Sequence, residues 1–298
     1  MPSNQVVLVS GSSTGFGRLI AETLARHGHT VFATMRDPAV RNAANASDLC
    51  ALAGKESLAL NVLEMDVTDE SSVDRAVHAC IDKAGRIDVV VNNAGYAIVG
   101  LAEATTLDQS RQIMDTNFLG SVRVNRAALP FMRKQKSGLL LHVSSGAGRI
   151  TIPGFSLYCA SKFAMEALAE AYHYELAGQG IESCIIEPGA YQTAVFGNMV
   201  RAADIARTQT YGPAAQIPEK INNVLSNTTA NAQEIADAVL AILETPAGQR
   251  KLRYRVSPTD LGVDEINDVC SQVQSRVLEI FGVAADSAFV QRASASAD

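Results

Sequence analysis

The sequence predicts an α/β domain built on a doubly wound parallel sheet, and three observations carry that prediction. Short apolar, β-rich runs alternate with amphipathic stretches along most of the chain, the pattern of repeated βαβ crossovers. Several runs, such as Val89-Val90-Val91 and Leu139-Leu140-Leu141, are continuous, as strands covered on both faces require. Glycine follows three of the amphipathic stretches, at Gly28, Gly85 and Gly178, where a left-handed residue ends a helix at little cost.

Strands are expected at 6–10, 30–34, 58–65, 87–91, 139–144 and 181–187, and helices at 16–27, 70–83, 107–134 and 156–177. From 190 to 231 the rhythm breaks into a stretch rich in Asn, Thr, Gln, Gly and Pro. A long irregular segment of this kind is expected to be a lid over a site. A helix at 232–243, an edge strand at 252–256 and an amphipathic helix at 264–281 follow, and the small, polar tail 284–298 is expected to fray. Length alone would allow two domains. The unbroken alternation and the absence of a linker favour one, spanning 1–283 with the lid inside it.

Composition removes several function classes. With 47% hydrophobic residues and a net charge of -6 from 25 Lys and Arg against 31 Asp and Glu, the chain is neither disordered nor built for nucleic acid, which needs a clustered basic face. The short segment Leu252-Arg253-Tyr254-Arg255 is too small for such a patch. No apolar run approaches the ~20 residues that span a bilayer, and the N-terminus lacks a basic, then apolar, leader, so a cytoplasmic protein is expected. The five cysteines are odd in number, scattered and without a Cys-x-x-Cys pair, which supports neither a disulfide framework nor a metal site.

The first strand runs into Gly11-Ser12-Ser13-Thr14-Gly15-Phe16-Gly17 and then a helix. Glycines there let backbone N–H groups approach a pyrophosphate, and the helix N-terminus adds positive potential. A tight turn alone would use the same glycines, so the context of strand, turn and helix matters more than the spacing. Asp66 after the third strand is placed to accept from an adenine amino group, although a cap for the helix at Glu70 is the plainer use. Asn92-Asn93-Ala94-Gly95 follows the fourth strand, where Asn side chains can bond adjacent backbone and small residues leave room for a ribose.

Tyr158 and Lys162 stand four apart at the start of a helix and share one face. Lowering a phenol from pKa ~10 to ~7 takes about 4 kcal/mol. One ammonium ~4 Å away at an effective dielectric of ~20 supplies that much. Lys162 is therefore expected to make Tyr158 a working acid/base. Ser145, 13 residues before Tyr158 at the end of the fifth strand, is placed to hold a carbonyl oxygen, and Ser144 competes for that role. Cys159 points away from Tyr158's face and is expected to be a core thiol, while His142 and His173 are expected to be structural.

Together these motifs resemble the short-chain dehydrogenase/reductase family over roughly residues 5 to 260. They occur in order as Gly11-x-x-x-Gly15-x-Gly17, Asp66, Asn92-Asn93-Ala94-Gly95, Asn117, Ser145, Tyr158-x-x-x-Lys162, and Pro188-Gly189 with Thr193. The resemblance implies a single-domain Rossmann-type sheet and an oxidoreductase passing hydride between a nicotinamide dinucleotide and a ketone or secondary alcohol. It implies that Tyr158 exchanges the substrate proton, Ser145 polarises the carbonyl, Lys162 binds the nicotinamide ribose and tunes Tyr158, and Asn117 supports a water relay through Lys162. It further implies that Ser12 and Phe16 line the pyrophosphate, that Asp66 with Val67, and Asn93, serve the adenosine half, and that Pro188, Gly189 and Thr193 lie on the nicotinamide side. A homodimer or homotetramer, with the 107–134 and 156–177 helices as contact surfaces, is implied in the same way.

The segment Thr34-Met35-Arg36-Asp37 and the run Tyr158 to Ala164 are similar to the retinol and hydroxysteroid dehydrogenase branch, which implies an apolar, fairly bulky substrate. Ile98, Ile152, Phe155, Tyr191, Phe196 and Met199 are candidates to face it, with ordinary core as the alternative. For the cofactor, Asp37 stands 20 residues after Gly17, where an NAD enzyme holds a ribose hydroxyl. Yet the position at which the family places the discriminating acid is Met35, and Arg36 follows. A guanidinium can pair with a 2'-phosphate, with Ser12 as a second donor, so NADP(H) is expected and NAD(H) is the alternative. Two other classes compete: a non-catalytic dinucleotide sensor, disfavoured by the intact Asn117, Ser145, Tyr158 and Lys162, and a sugar-nucleotide epimerase or dehydratase, which would need a separate substrate domain.

Overall fold

The computed structural model describes residues 4–193 and 199–288. Its centre is a seven-stranded sheet in the order β3-β2-β1-β4-β6-β7-β9, with every neighbouring pair parallel. The strands are β1 (Val6–Val9), β2 (Thr30–Met35), β3 (Leu60–Glu64), β4 (Val89–Asn92), β6 (Gly138–Val143), β7 (Ile181–Pro188) and β9 (Arg253–Val256). A pair of two-residue strands, β5 (Ile98–Val99) and β8 (Val200–Arg201), lies apart from it.

Both faces of the sheet are covered, and β1 explains why its sequence reads as an uninterrupted apolar run. Val7 and Val9 enter one core with α1 (Gly15–Arg26) and α9 (Gln233–Glu244), while Val6 and Leu8 enter the other with α3 (Glu70–Ala84) and α5 (Gly120–Gln135). The strand order reverses between β1 and β4, and that switch point opens a crevice at the carboxyl ends of the strands.

The strands fall where the sequence puts them, within one or two residues, including the edge strand β9 beside β7. The expected helix over 107–134 is three segments. α4 (Leu107–Met114) starts from a reciprocal Thr106–Gln109 cap, passes into a wide π turn at Asp115–Leu119, and continues as α5. The helix α6 (Ser156–Glu175) stops before Gly178. A 3₁₀ turn follows it, and Gly180, at φ 74°, is the left-handed residue.

The helix α2 (Ala43–Glu56) was not expected at all. The stretch read as irregular carries β8, α7 (Ile205–Thr210) and α8 (Ile217–Ser226). At the chain's end, α10 (Val263–Ile280) matches its expected position, and most of the 284–298 tail lies outside the described residues. Among the described residues no helix is long and apolar enough to cross a membrane.

Candidate active site

The glycine turn is held by its neighbours. Gly11 and Gly15 adopt φ of 69° and 59°, and a Cβ on Gly11 would lie 2.8 Å from the Ala94 Cα. Gly17 has no room for a different reason: its Cβ would stand 2.4 Å from both Asn93 Nδ2 and the Gly11 carbonyl oxygen. Asn93 Nδ2 donates to the carbonyls of Ser10 and Gly11 at 2.9 and 3.1 Å, so its side chain fastens the turn and is not free to reach into the crevice. Ser10, which the sequence reading passed over, accepts from the backbone N–H groups of Asn93 and Ala94 at 2.9 and 3.0 Å.

Ser12 is a correction. It is buried, its hydroxyl donates to the Val9 carbonyl at 2.9 Å, and its backbone N–H is taken by the Thr34 carbonyl. The turn folds Ser12 inward to tie β1 to β2, so it offers no donor to a phosphate. The open side belongs to half-buried Ser13 and exposed Thr14. Thr14 is the N-cap of α1, its side chain makes no cap bond, and the first turn carries no acid. The N-terminal N–H groups of α1 thus face the crevice in a setting suited to an anion. A Cβ on Gly15 would meet only Thr193, at 3.9 Å, which puts Thr193 opposite the turn. A dinucleotide pyrophosphate fits this cradle.

Along the strand ends, Asp66 Oδ1 accepts from the Thr68 backbone N–H and hydroxyl at 2.9 and 2.7 Å, and Asp69 caps α3 in its place. Val67 is buried, with its carbonyl accepting from Arg123 at 3.0 Å. Arg36 is exposed, makes no ion pair among the described residues, and lies close enough to Tyr96 to lower that phenol's pKa against the larger effect of burial. The alternative of an Arg36–Asp37 bridge is not found among the described residues; Asp37 is exposed, with its backbone in the left-handed region at φ 43°. Met35 is buried, which leaves no carboxylate at that position. Pro188 ends β7, and Gly189 is required by packing, since a Cβ there would lie 2.1 Å from Ser257 Oγ.

The remaining groups converge on α6 and the end of β6. Half-buried Tyr158 faces Ser145, whose hydroxyl lowers the phenol's pKa, but burial is the larger influence and raises it. Ser145 caps a 3₁₀ turn (Gly146–Gly148) by accepting from Ala147 N–H at 3.1 Å. Ser144 is buried and lies toward Glu166, whereas Ser145 is the serine whose hydroxyl acts on Tyr158. Lys162 Nζ donates to the Val143 carbonyl at 2.8 Å and stands 5.8 Å from the Tyr158 ring centroid.

Lys162 Nζ lies over the Tyr158 ring, and burial draws its own pKa down to about 8 while raising that of the phenol. Asn117 lies in the π turn, fully buried. Its Oδ1 accepts from Tyr96 N–H, and its Nδ2 donates to the Tyr96 carbonyl and to Ser161 Oγ, each near 3 Å. Ser161 in turn donates to the Tyr158 carbonyl at 2.7 Å, so the Asn117 side chain anchors α6 to the strand-four loop.

Residues 5–204 match the family profile described as short chain dehydrogenase, about two thirds of the chain. The chain is a short-chain dehydrogenase. It is accordingly an NAD(P)-dependent oxidoreductase acting on CH–OH or C=O groups. It is 34% identical to the 17-beta-hydroxysteroid dehydrogenase type 1 of Mus musculus, over 84% of this chain and 72% of that one. It is 31% identical to the retinol dehydrogenase 8 of Bos taurus, over 85% and 83%. A short-chain dehydrogenase from Streptomyces avermitilis superposes with a TM-score of 0.74 at 32% identity, covering 94% of this chain and 98% of that one. The expected family, and its likeness to the retinol and hydroxysteroid branch, are thus found.

Around Tyr158 the dehydrogenase has an apolar wall of Val99, Ala147, Phe155 and Cys159, with Ile152 and Met199 packed against it. Ile221 and Leu225 of α8 complete it, and the sequence reading missed both because that stretch reads as polar. Tyr191 does not belong there. It is buried in the opposite core, edge-on to Phe16 at 5.8 Å, and its hydroxyl donates to Glu234 at 2.9 Å. Ile98 is buried within β5, and Phe196 lies outside the described residues. Cys159 is a core thiol, accepting from Ile152 N–H, and burial raises its pKa.

Proposed function

We propose that the enzyme transfers hydride between NADP(H) and an apolar, fairly bulky ketone or secondary alcohol, with Tyr158 as the proton-exchanging group. The observation that carries the proposal is the convergence of Tyr158, Ser145 and Lys162 on one edge of the crevice, beside an apolar wall and across from an α1 N-terminus suited to an anion. The turn from Gly11 to Gly17, Asp66 with Val67, and Pro188, Gly189 and Thr193 are the positions that would hold the dinucleotide, with Asn93 acting by fixing the turn. When bound, the nicotinamide ring supplies a hydride to the carbonyl carbon or takes one from the carbinol carbon.

In the reducing direction Tyr158 gives its phenolic proton to the carbonyl oxygen, and the Ser145 hydroxyl holds that oxygen as negative charge develops. Burial keeps the phenol protonated through neutral pH, the form that reduction needs. In the oxidising direction the phenolate must form first, so that rate should climb with pH. Lys162 contributes positive charge beside the ring and reaches the ribose side, and Asn117 keeps α6 in register for both. Tyr158 and the adjoining Ile152, Phe155, Met199, Ile221 and Leu225 support a substrate with a large apolar body. The relatives named for hydroxysteroid and retinol substrates agree with that class.

NADP(H) is favoured over NAD(H) by an exposed Arg36 that makes no ion pair among the described residues and a buried Met35 where an acid would repel the phosphate. A cytoplasmic homodimer or homotetramer, a lid within 190–231, of which 194–198 lie outside the described residues, and a single functional unit over 1–283 belong to the same reading. The test is initial-rate kinetics on a panel of ketones with both cofactors. The Michaelis constant for NADPH should rise at least tenfold in Arg36→Ala with little change for NADH. Equal use of both cofactors by the wild type, or no selective loss in the variant, would return the assignment to NAD(H).

A further inference from the structure

The apolar wall beside Tyr158 is built from two stretches of chain that meet across a glycine. Gly154 lies two residues before α6, with its backbone in the left-handed region at φ 83°. A Cβ there would lie 2.6 Å from Pro218 Cα, 2.9 Å from Pro218 Cβ and 3.2 Å from Pro218 Cγ, so α8 is seated directly on that glycine. Pro218 is buried in the first turn of α8, where its missing N–H costs no intrahelical bond. Ile221 and Leu225 follow it by three and then four residues on the same face of the helix, and both pack into the wall.

The Gly154 side of this contact is the fixed one. The Gly154 carbonyl accepts from the Gly100 N–H at 2.8 Å, and Phe155, itself buried, is bridged to Gly100 in parallel. The helix α6 that follows is anchored by the bond from Asn117 to Ser161. On the other side, the polar tie of α8 through Glu219 to Arg201 of β8 is an exposed ion pair, which holds weakly. Carbon atoms in contact stand ~3.5–4.0 Å apart, so a methyl group on Gly154 has to push Pro218 back by about 1 Å. The element that yields is α8.

We propose that Gly154 is a positioning residue that sets how well a bulky substrate is held: having no side chain, it lets Pro218 seat, and the seated α8 brings Ile221 and Leu225 against the substrate beside Tyr158. The inference rests on the reading of Tyr158 and the apolar wall given above. A bulky apolar ketone reaches α8 and loses contact when the helix backs away, and each methylene so exposed weakens binding about fourfold. A small ketone does not reach α8 and loses nothing. The glycine turn on the cofactor side is fastened by Asn93 and Ser10, with no part taken by α8, so cofactor affinity stays as it is.

The experiment measures, by titration calorimetry on the full chain loaded with NADP+ so that no turnover occurs, the dissociation constants of bicyclic decalone and of cyclohexanone. In Gly154→Ala the decalone constant should rise at least fourfold, with cyclohexanone and NADP+ each within twofold of wild type. Gly212→Ala is the control, because at φ 56° with nothing within 4 Å of the added atom it carries the same left-handed strain without the push on α8. Decalone affinity unchanged in Gly154→Ala, a loss shared equally by cyclohexanone, or the same profile in Gly212→Ala overturns the proposal. If Gly154→Ala does not fold, Pro218→Ala decides, since it takes the buried ring out of its seat and frees α8 to move off, with exposed Pro213→Ala as its control. A selective loss of decalone in Pro218→Ala alone supports the proposal, and an unchanged constant overturns it. Wild type that binds decalone no more tightly than cyclohexanone would overturn the reading of the wall, and the proposal with it. The first failure shows only in the variants and the second already in the wild type, so the two are distinguishable.

Discussion

Replacing Gly17 by Ala puts one methyl group into the best-packed point of the glycine turn. Its Cβ would lie 2.4 Å from Asn93 Nδ2 and 2.4 Å from the Gly11 carbonyl oxygen, and neither atom can retreat without breaking the turn. The φ of Gly17 is not in the left-handed region, so the effect is steric alone. Losing the two Asn93 hydrogen bonds costs about 2 kcal/mol at ~1 kcal/mol each, and the backbone shift adds ~1–3 kcal/mol. A total near 4 kcal/mol, with a urea slope of ~3 kcal/mol/M for a chain of this size, lowers the unfolding midpoint by about 1 M.

Gly28→Ala is the control. At φ 85° with nothing within 4 Å of the added atom, it meets only left-handed strain of ~1–2 kcal/mol. Urea unfolding followed by circular dichroism measures both, and a fluorescence titration with NADPH should show weakened binding in Gly17→Ala only. A midpoint shift in Gly17→Ala no larger than in Gly28→Ala would refute the argument that Asn93 and the Gly11 carbonyl fix the turn.

Glu187 gives a pH-dependent prediction. Its pKa is raised to about 7 in the fold against an ordinary 4.5, so its contribution is most favourable below 4.5 and is lost as pH rises through 7. Glu187→Gln should therefore stabilise the protein by about 2–3 kcal/mol at pH 8 and by little at pH 4.5, as read by urea unfolding at the two values. Tyr191→Phe should lose about 1 kcal/mol through its bond to Glu234 yet leave the Michaelis constants for ketones unchanged, since that ring sits in the core; a selective change in substrate affinity would put Tyr191 back on the substrate side. Ile221→Ala with Leu225→Ala should raise the Michaelis constant for bulky apolar ketones at least tenfold more than for small ones. Equal effects on both would remove α8 from the substrate wall.

The framework was legible because parallel strands buried on both faces leave continuous apolar runs, as at Val89 to Val91 and Leu139 to Leu141. Glycine and the Tyr158–Lys162 spacing point to the candidate site for the same reason: local geometry demands those residues at those intervals. The helix α2 was hidden because it rests on the sheet through little more than Ala46 and Leu49, too sparse a stripe to register as periodic. The π turn at Asn117 was hidden because a single wide turn leaves the apolar rhythm on either side almost intact.

The tie of Ser12 to the Thr34 carbonyl and the Glu166–Arg253–Glu187 cluster depend on contacts far apart in sequence. One signal was available. Charged residues at Glu166 and Glu187, on an otherwise apolar helix face and at the end of an apolar strand, have to be paired when buried.

Tyr158→Phe tests most directly whether the Tyr158 phenol carries the substrate proton, because the ring still packs while the transferable proton is gone. The rate of NADPH oxidation with the best ketone of the panel should fall below one hundredth of wild type, with the NADPH dissociation constant, read by fluorescence, within about threefold. Turnover above one tenth of wild type with cofactor still bound would contradict the account.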